Sequence, residues 1–457
     1  MTRRFARCPL FLTFALLFMA ALSKPGSAGV FNPETLTLNN GMKVVMISNH
    51  RAPVVTHMVW YKVGAADEGP GETGIAHFLE HLMFKGTSRF KPGEFSKTLA
   101  RHGGQENAFT SYDYTAYFQT VASDRLEMVM EMEADRMTGL ILTEEIIAPE
   151  RQVVLEERRS RVDNNPSSIL REQTRAASYL NHPYRRPVIG WEHEIAGLDL
   201  KRILAFYKRW YAPNNAILVV AGDITMETLK PLAEKYYGSI PAANTPERIR
   251  PTEPPQKSAR TVSLKDPRVR QARWSRSYLA PGQGTLKSPD ESDDIYALEV
   301  LSEIISGGSS SRLYKSLVVD GKLAQSAGSY YSGDGFGPGR FGFYASPRPG
   351  IPFDQIEMAI DIEIAKILKD GVTEDELNRA TTRMQDEAIY ARDSQSGGAR
   401  ALGAALASGS TIDDVESWPE RIGSVTLAGV QAAAQKVFIE SNSVTALLQG
   451  LGKGEQQ

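Results

Sequence analysis

The sequence predicts an α+β fold made of two tandem homologous units, each an antiparallel sheet with helices packed on it. The chain has 457 residues, which is more than one compact core usually organises. A proline-rich polar stretch divides it near the middle, and the segments on either side show weak internal repetition. In the first segment, strand-like runs alternate with helical periodicity. We therefore expect two copies of one folding unit in a single chain.

The first segment contains four runs with the composition of β-strands and five with helical periodicity. The runs that begin at Val54 and Thr115 alternate in the manner of antiparallel strands. Strands and helices segregate in places, which favours an α+β architecture. The predicted strands are 43–47, 54–63, 115–121 and 217–220, and the predicted helices are 73–84, 97–102, 124–137, 143–162 and 200–210.

The internal repetition is clearest near the end of each segment. Residues Trp191–Ala221 align without a gap on Trp418–Leu448, and both read as a helix, then asparagine, then an apolar strand. A different offset upstream pairs Ala122-Ser123 with Ala345-Ser346. The collinear order of these matches favours two copies of one unit. The predicted divisions are an N-terminal segment at 1–28, a first domain at 29–240, a linker at 241–260 and a second homologous domain at 261–457.

The first 28 residues have the layout of a cleavable secretory signal. Three arginines precede an apolar run from Pro9 to Leu22, and small residues suit cleavage after Ala28. The run is short for a membrane span. The only cysteine, Cys8, lies in this segment, so the mature chain would have none, which suits an oxidising compartment. We expect a periplasmic or secreted protein with no membrane span in its mature chain.

The overall charge gives no sign of a charged partner. The chain has 52 basic and 54 acidic side chains, a net charge of -2, so no general field attracts nucleic acid or anionic lipid. Apolar residues make up 42% and charged residues 23% of the sequence, as in ordinary globular proteins. The functional class must therefore be inferred from motifs.

The strongest chemical signal is a pair of histidines, His77 and His81, within a predicted helix. At a spacing of i and i+4 they lie one turn apart on one helix face, where both can reach one metal ion. Apolar residues would bury the opposite face, and Thr73 is the predicted N-cap. A hydrolytic metal needs a bound water and a nearby carboxylate that accepts its proton. Glu80 is the candidate for this base.

A catalytic zinc ion usually has three protein ligands, so a third must come from elsewhere. The predicted helix 143–162 contains Glu150 and Glu157, which are seven residues apart and share a face. Glu156 is rotated by about 100° from Glu157. We predict Glu157 as the third ligand and Glu150 as the carboxylate that steadies a ligand or the water.

Only the first half of the chain can build this site. All seven histidines lie there, and the repeat alignment places Val300 and Ile304 where the first unit has its histidine pair. One Zn²⁺ per chain is therefore expected. Histidine pairs at helical spacing are often ordinary surface or core residues, and a carboxylate-bearing helix is often a solvated face. Their joint occurrence favours a metal site.

These motifs resemble those of the inverted-motif zinc peptidases, which carry HxxEH in place of HExxH and include pitrilysin, insulinase and the mitochondrial processing peptidase. The resemblance covers essentially all of the mature chain. The 75 residues between His81 and Glu157, 82–156, match the spacing at which the family's third ligand is expected. The further matching stretches are 84–87, 103–110, 113–117, 150–157, 211–214, 222–223 and 307–314.

The resemblance implies two units of one fold in each chain, facing a second such pair across a chamber that holds an extended peptide. It places Asn107 and Ala108 on an edge strand beside the zinc, where they pair with the substrate backbone. The residues alone favour a different interpretation of Asn107, as a turn residue after Gly103-Gly104. In its short length the chain resembles the processing-peptidase branch, which assembles from two chains.

One feature of the family is missing from this sequence. Members commonly carry, in the second unit, an arginine and a tyrosine seven residues apart that bind substrate and stabilise the tetrahedral intermediate. Alignment from Arg312 places Val318 and Gln325 at these positions. Valine cannot stabilise a developing oxyanion. The resemblance therefore implies a homologous partner subunit that supplies the Arg/Tyr pair.

The predicted function is that of a zinc-dependent endopeptidase for extended or unfolded peptides, with this chain as the metal-bearing subunit. Two alternatives remain open at this stage. One is a non-catalytic structural or binding homologue of the same fold, like the core subunits of respiratory complexes. The other is a zinc hydrolase that acts on non-peptide substrates.

Overall fold

Six strands of the first half of the chain form one sheet. The computed structural model describes residues 29–286 and 292–451, so the predicted signal peptide at 1–28 lies outside the described residues. The strands are β1 Glu34–Thr37, β2 Lys43–Ser48, β3 Val54–Tyr61, β4 Gln105–Thr110, β5 Thr115–Ala122 and β6 Ala216–Gly222. Their order in the sheet is β1-β2-β6-β3-β5-β4, which places β4 at an edge. The four predicted strands are present, and β1 and β4 are additional.

Eight helices accompany the first sheet in the described part of this half. All five predicted helices are among them. The predicted helix 143–162 is α-helical up to Arg158 and continues as a π-helical turn over Arg159–Asp163. The helices are α1 Ile75–Leu82, α2 Glu94–Arg101, α3 Leu126–Gly139, α4 Glu144–Arg158, α5 Pro166–Ser178, α6 Glu192–Ala196, α7 Leu200–Trp210 and α8 Met226–Tyr236.

The second half of the chain forms a five-stranded sheet with its own helices. The strands are β7 Arg260–Lys265, β8 Arg273–Ala280, β9 Ala324–Ser332, β10 Gly339–Pro347 and β11 Ser443–Gln449. The helices are α9 Ser292–Ser306, α10 Arg312–Tyr314, α11 Phe353–Asp370, α12 Glu374–Ala391, α13 Gln395–Ala407, α14 Ile412–Glu416, α15 Trp418–Gly423 and α16 Leu427–Val437. The strand order is β7-β11-β8-β10-β9.

The two sheets repeat one topology, which confirms the prediction of two tandem homologous α+β units. The order β2-β6-β3-β5-β4 of the first sheet corresponds, strand by strand, to the order of the second. Each sheet is antiparallel except for one pair, β2 with β6 and β7 with β11. These pairs run parallel because a helix precedes the last strand of each unit and brings it back in the same direction as its neighbour. The neighbour is β2 for β6 and β7 for β11. The aligned repeat segments are α7 with β6 and α16 with β11.

The two units exchange one helix each. One face of the first sheet is covered by helices of its own half, whereas α13 from the second half covers the other face and buries Leu402 near Trp60. Reciprocally, α5 from the first half packs against β7 and β11, where Leu170 meets Ala446 and Leu448. Each sheet is therefore covered in part by a helix from the other half of the chain.

The proline-rich stretch predicted as a linker at 241–260 has no helix or strand before Arg260, where β7 begins. Two of its arginines bind the folded units: Arg250 pairs with the first, and Arg248 donates to both. Arg250 forms ion pairs with Asp67 at 2.6 Å and Asp113 at 3.0 Å, and all three side chains are buried. Arg248 donates to backbone carbonyls of Asp113 and of α13 at 3.0 and 2.8 Å. This stretch therefore ties the units together as well as connecting them. No described helix is long and apolar enough to cross a membrane.

The docking of α13 on the first sheet can be tested at Gly403, whose Cα lies so close to the indole of Trp60 that an added Cβ would overlap the ring. Gly403→Ala is expected to destabilise the protein by about 1–3 kcal/mol through overpacking, although alanine is the better helix former. The measurement is the thermal unfolding midpoint. Ala401→Ser, on the exposed side of the same helix, is the control and should leave the midpoint nearly unchanged. A Gly403→Ala protein as stable as wild type would contradict this packing.

Candidate metal centre

Helix α1 carries the histidine pair and is held at its N-terminus by a buried carboxylate. Thr73 was predicted to be the N-cap, and this prediction is wrong: Gly74 occupies that position with φ +88°. The Glu68 carboxylate accepts hydrogen bonds from the backbone N–H groups of Gly74 and Ala76, both at 3.0 Å. Thr73 instead accepts from the Trp191 N–H. Glycine is required at 74 because its φ is left-handed and a Cβ would meet the carbonyl of Ile189.

The apolar residues of α1 point into the core, which leaves His77 and His81 facing α4. There the three predicted ligands come together. Nε2 of His81 lies 3.2 Å, and Nε2 of His77 3.8 Å, from Oε2 of Glu157. One donor atom from each residue lies within 4.8 Å of the other two. Tetrahedral zinc with bonds of about 2.0–2.2 Å needs donor separations of about 3.4 Å, so this set fits zinc.

Two further side chains hold these donors in place. Glu150 lies two turns before Glu157 on α4. Its Oε1 is 3.0 Å from Nδ1 of His81, and its Oε2 is 2.5 Å from Nζ of Lys85. Such a carboxylate on the second ring nitrogen fixes the orientation of a metal-binding imidazole. Oε1 of Glu157 is 2.7 Å from Nη1 of Arg161, which leaves its other oxygen directed at the histidines.

Glu80 and Glu156 have contrasting environments. Glu80 accepts a hydrogen bond from the Thr110 hydroxyl at 2.5 Å, and burial raises the pKa of its carboxyl above the usual value. Glu156 is 70% exposed and pairs with Arg159 at 3.2 Å on the outer side of α4. Glu80 therefore lies at the centre beside the last residue of β4, whereas Glu156 faces away from it.

The strand β4 carries Asn107 and Ala108. The interpretation of Asn107 as a turn residue is wrong, because the turn is made by Gly103, with φ +71°, and the strand begins two residues later. Asn107 pairs with Phe118 and Ala108 with Tyr117 of β5, and β4 has no second strand neighbour among the described residues. Oδ1 of Asn107 accepts from the backbone N–H of Ala108 at 2.9 Å. Both residues thus lie on an open sheet edge, and the last residue of this strand, Thr110, contacts Glu80.

The positions aligned with the family's arginine and tyrosine lie in the second unit. Val318 is buried in a π-helical turn, Lys315–Asp320, and Gln325 lies in β9, where it accepts from Gln271. Lys322 has φ +49°, a left-handed conformation that glycine adopts more easily.

Four residues around the centre had no role in the sequence interpretation. Lys85 and Thr110 lie in stretches that match the family but gave no separate signal for their contacts. Glu68 and Arg161 are charged residues outside any motif, and only tertiary packing shows what they bind. Their partners are distant in sequence or depend on helix geometry, so spacing alone could not identify them.

Comparisons with known proteins agree with this architecture. A profile described as insulinase (peptidase family M16) matches residues 43–192, and one described as peptidase M16 inactive domain matches residues 197–384. The zinc protease PqqE of Helicobacter pylori is 34% identical over 390 residues, 84% of this chain and 86% of that protein. This chain belongs to the M16 peptidase family. An uncharacterized zinc protease of Streptomyces coelicolor, SCO5738, is 28% identical over 90% of this M16 chain and 89% of that protein.

Solved structures show the same M16 fold. The crystal structure of a protease from Helicobacter pylori has a TM-score of 0.83 at 32% identity and covers 91% of this chain and 99% of that one. The periplasmic protease PqqL from Escherichia coli has a TM-score of 0.78 at 19% identity. There the match covers 93% of this chain but only 49% of that chain. The M16 fold thus also occurs within chains about twice as long.

The two histidines of this M16 centre differ in their tendency to carry a proton. Burial and the charge of His81 lower the pKa of His77 to about 4, so its imidazole is neutral at pH 7. Burial also opposes the charged form of His81, but its hydrogen bonds to Glu150 and Glu157 outweigh burial and raise its pKa to about 9. The same hydrogen bonds to His81 lower the pKa values of the Glu150 and Glu157 carboxyls.

This difference predicts that zinc binding releases about one proton per ion at pH 7. Below its pKa of about 9 the metal-free protein carries a protonated His81, which must lose that proton to bind zinc, whereas His77 is already neutral. Calorimetric titration of metal-free protein in buffers of different ionisation enthalpy measures the release, which should fall as pH rises through about 9. Glu150→Gln should reduce the release at pH 8 and weaken zinc binding roughly 10–100-fold. Zinc binding without proton release at pH 7 would contradict the His81 assignment.

Proposed function

We propose that this chain is a zinc-dependent endopeptidase that cleaves extended or unfolded peptides. Its Zn²⁺ would be held by His77, His81 and Glu157, one ion per chain, with Glu80 as the catalytic base. The observation that carries the proposal is the convergence of these donors with a buried carboxylate beside an open strand edge. Membership of a zinc protease family supports it.

The roles of the side chains follow from their contacts. Bound zinc would supply Lewis acidity, which would polarise a scissile carbonyl and lower the pKa of a water molecule. Glu80 accepts the water's proton and delivers it to the leaving amine. The Thr110 hydroxyl fixes the direction of the Glu80 carboxylate, and Glu150 holds His81 in the orientation that directs its Nε2 toward Oε2 of Glu157. Because burial raises the pKa of Glu80, the acid side of the activity profile should lie above the usual carboxyl range.

The open edge of β4 supports an extended substrate. A peptide that adds as a further strand pairs with the backbone of Asn107 and Ala108 and passes next to Glu80. Folded proteins rarely offer a free strand, whereas unfolded segments do. The substrate class is therefore extended peptide. An ester or other small substrate would make no use of this edge, which disfavours a non-peptide hydrolase.

We further propose that this chain is the metal-bearing subunit of a complex with a homologous partner. Val318 and Gln325 offer neither a cation nor a phenol, so the donors that would stabilise the tetrahedral intermediate must come from elsewhere. A longer protein in which this chain spans about half the length leaves room for a second unit of similar size. The N-terminal sequence supports function in the periplasm or outside the cell.

Replacing Glu80 separates catalysis from metal binding. Glu80→Gln should keep about one zinc per chain and lose activity by roughly 10²–10⁴-fold, because the ligands remain and only the proton acceptor is removed. The measurements are zinc content by mass spectrometry and cleavage of an unstructured peptide. Glu156→Gln is the matched control, since that carboxylate is 70% exposed and faces away. Activity within a few-fold of wild type in Glu80→Gln would exclude Glu80 as the base, and zinc-loaded wild type that cleaves nothing with any partner would favour the non-catalytic alternative.

The chain alone should be weakly active, and a partner should restore activity. The partner expected is a homologue that lacks HxxEH and carries arginine and tyrosine at the positions of Val318 and Gln325. Each missing donor should cost about 10²- to 10³-fold in rate. Peptide cleavage would be compared for the chain alone, for the mixture, and for a mixture with the partner's arginine replaced by alanine, at equal zinc occupancy. Full activity of the lone chain, unchanged by any such homologue, would contradict the division of the site.

A further inference from the structure

A cleft of about 860 Å³ lies between the two units. One wall is α5 together with the loop that follows β4, and the other is formed by β8, β9 and β10 of the second sheet. Its size falls within the range of ligand-binding clefts, about 300–1,000 Å³. None of the candidate zinc ligands lines it. The cleft is therefore a separate feature of the molecule that needs its own explanation.

Four arginines line this cleft and converge on it from both units. Arg171 and Arg175 are one turn apart on α5, so they project from the same helix face. Arg273 begins β8, and Arg340 lies in β10. Two units that are far apart in sequence thus contribute two positive side chains each.

None of these four arginines forms an ion pair with a carboxylate in the part of the chain that the structure describes. Arg171 donates to Ser168 Oγ at 3.0 Å, Arg175 lies over the ring of Tyr112 at 4.7 Å, and Arg340 donates to Ser277 Oγ at 2.6 Å. Nε of Arg340 is buried without a hydrogen-bond partner among the described residues. By contrast, the nearby Arg158 binds Glu172 at 2.8 Å. The lining arginines thus retain donors for a ligand.

The carboxylates at the cleft do not compensate this charge. Only Asp113 and Asp334 line it, and Asp113 is already bound by Arg250 at 3.0 Å. Burial raises the pKa values of Tyr112 and Tyr179, and the charges of Arg175 and Arg340 both oppose that rise. The two guanidinium groups therefore act on the same pair of rings, and their positive potentials add inside the cleft.

The cleft continues the path of a peptide on β4. Thr110, the last residue of that strand, contacts Glu80, and Ser111 to Tyr114, which follow it directly, line the cleft. A peptide that pairs antiparallel with β4 runs in the opposite direction. Its residues N-terminal to the scissile bond therefore lie beyond Thr110, on the side of the cleft.

We propose that this cleft binds carboxylate side chains of the substrate, N-terminal to the scissile bond, and so makes the enzyme selective for acidic peptides. Guanidinium groups bind carboxylates through paired hydrogen bonds, and an anionic ligand also relieves the repulsion among four uncompensated cations. Exposed Tyr330 and Tyr344 on the cleft wall offer ring surfaces to the peptide chain. The proposal deepens the proposed peptidase function and rests on it for the direction of the peptide.

The experiment uses three unstructured peptides with one identical cleavage sequence. The first carries three glutamates N-terminal to the scissile bond, the second carries glutamines there, and the third carries the glutamates on the C-terminal side. Binding is measured by fluorescence anisotropy with zinc-loaded Glu80→Gln protein, and kcat/KM with the active complex. The first peptide should bind roughly tenfold more tightly than the other two, with a matching rise in kcat/KM that falls as salt is added.

Variants of the cleft arginines and a control variant outside the cleft test whether these arginines cause the preference for the glutamate peptide. Arg171→Gln with Arg175→Gln, on the surface of α5, should remove most of the preference, and Arg340→Gln should reduce it from the other wall. Arg209→Gln, an exposed arginine on α7 outside the cleft, is the control and should keep it. Melting temperatures verify that each variant is folded. In the α5 double variant and in Arg340→Gln, kcat/KM for the glutamate peptide should fall toward that for the glutamine peptide, whereas Arg209→Gln should leave both values unchanged.

The outcomes distinguish this proposal from the proposed function. If peptides are cleaved but glutamates make no difference, or the preference survives in the α5 double variant, the cleft proposal is overturned and the peptidase stands. If nothing is cleaved but the first peptide still binds best and the double variant loses that binding, the peptidase fails and the cleft remains a site for acidic peptides. If inorganic tripolyphosphate binds the cleft while the glutamate and glutamine peptides bind equally, the peptide assignment is overturned.

Discussion

The contact between α1 and α4 is the constraint on which the candidate metal centre depends. One helical turn can offer two imidazoles to an ion, but a third donor must come from another element held at a fixed distance. Here the pairing of His81 with Glu150 and Glu157 sets that distance. Glu68 fixes the start of α1, and the buried apolar residues of both helices keep them against one core.

The same chain segment links the centre to the second unit. Directly after Glu157, α4 gives way to a π-helical turn, and α5 then crosses to cover the second sheet. Since α13 crosses in the other direction, the units are held together by two exchanged helices and by Arg248, which donates to Asp113 and to Ala407 of α13. Glu157 and the two arginines that α5 contributes to the cleft therefore lie on one continuous stretch of chain, α4 to α5.

The two units share one topology but carry different polar features. The first keeps a polar centre between α1 and α4, whereas the corresponding part of the second is apolar at Val300 and Ile304, both buried in its core. The second unit instead contributes a sheet surface with Arg273 and Arg340 to the space between the units. Although the units share one topology, the polar centre lies in the first unit alone, and the cleft needs residues from both units.

The sequence by itself determined the two-unit α+β fold, most strands and helices of the first unit, and the residues that meet at the centre. These depend on periodicity, on the spacing of His77 and His81, and on the shared helix face of Glu150 and Glu157, which are local properties of the chain. Only the tertiary structure decided that Gly74 and Glu68, and not Thr73, form the N-terminus of α1, and that four arginines line one cleft. It also decided between the two interpretations of Asn107, in favour of the strand that the resemblance implies. Each of these depends on partners far apart in sequence, and no local pattern records which surfaces a folded chain brings together.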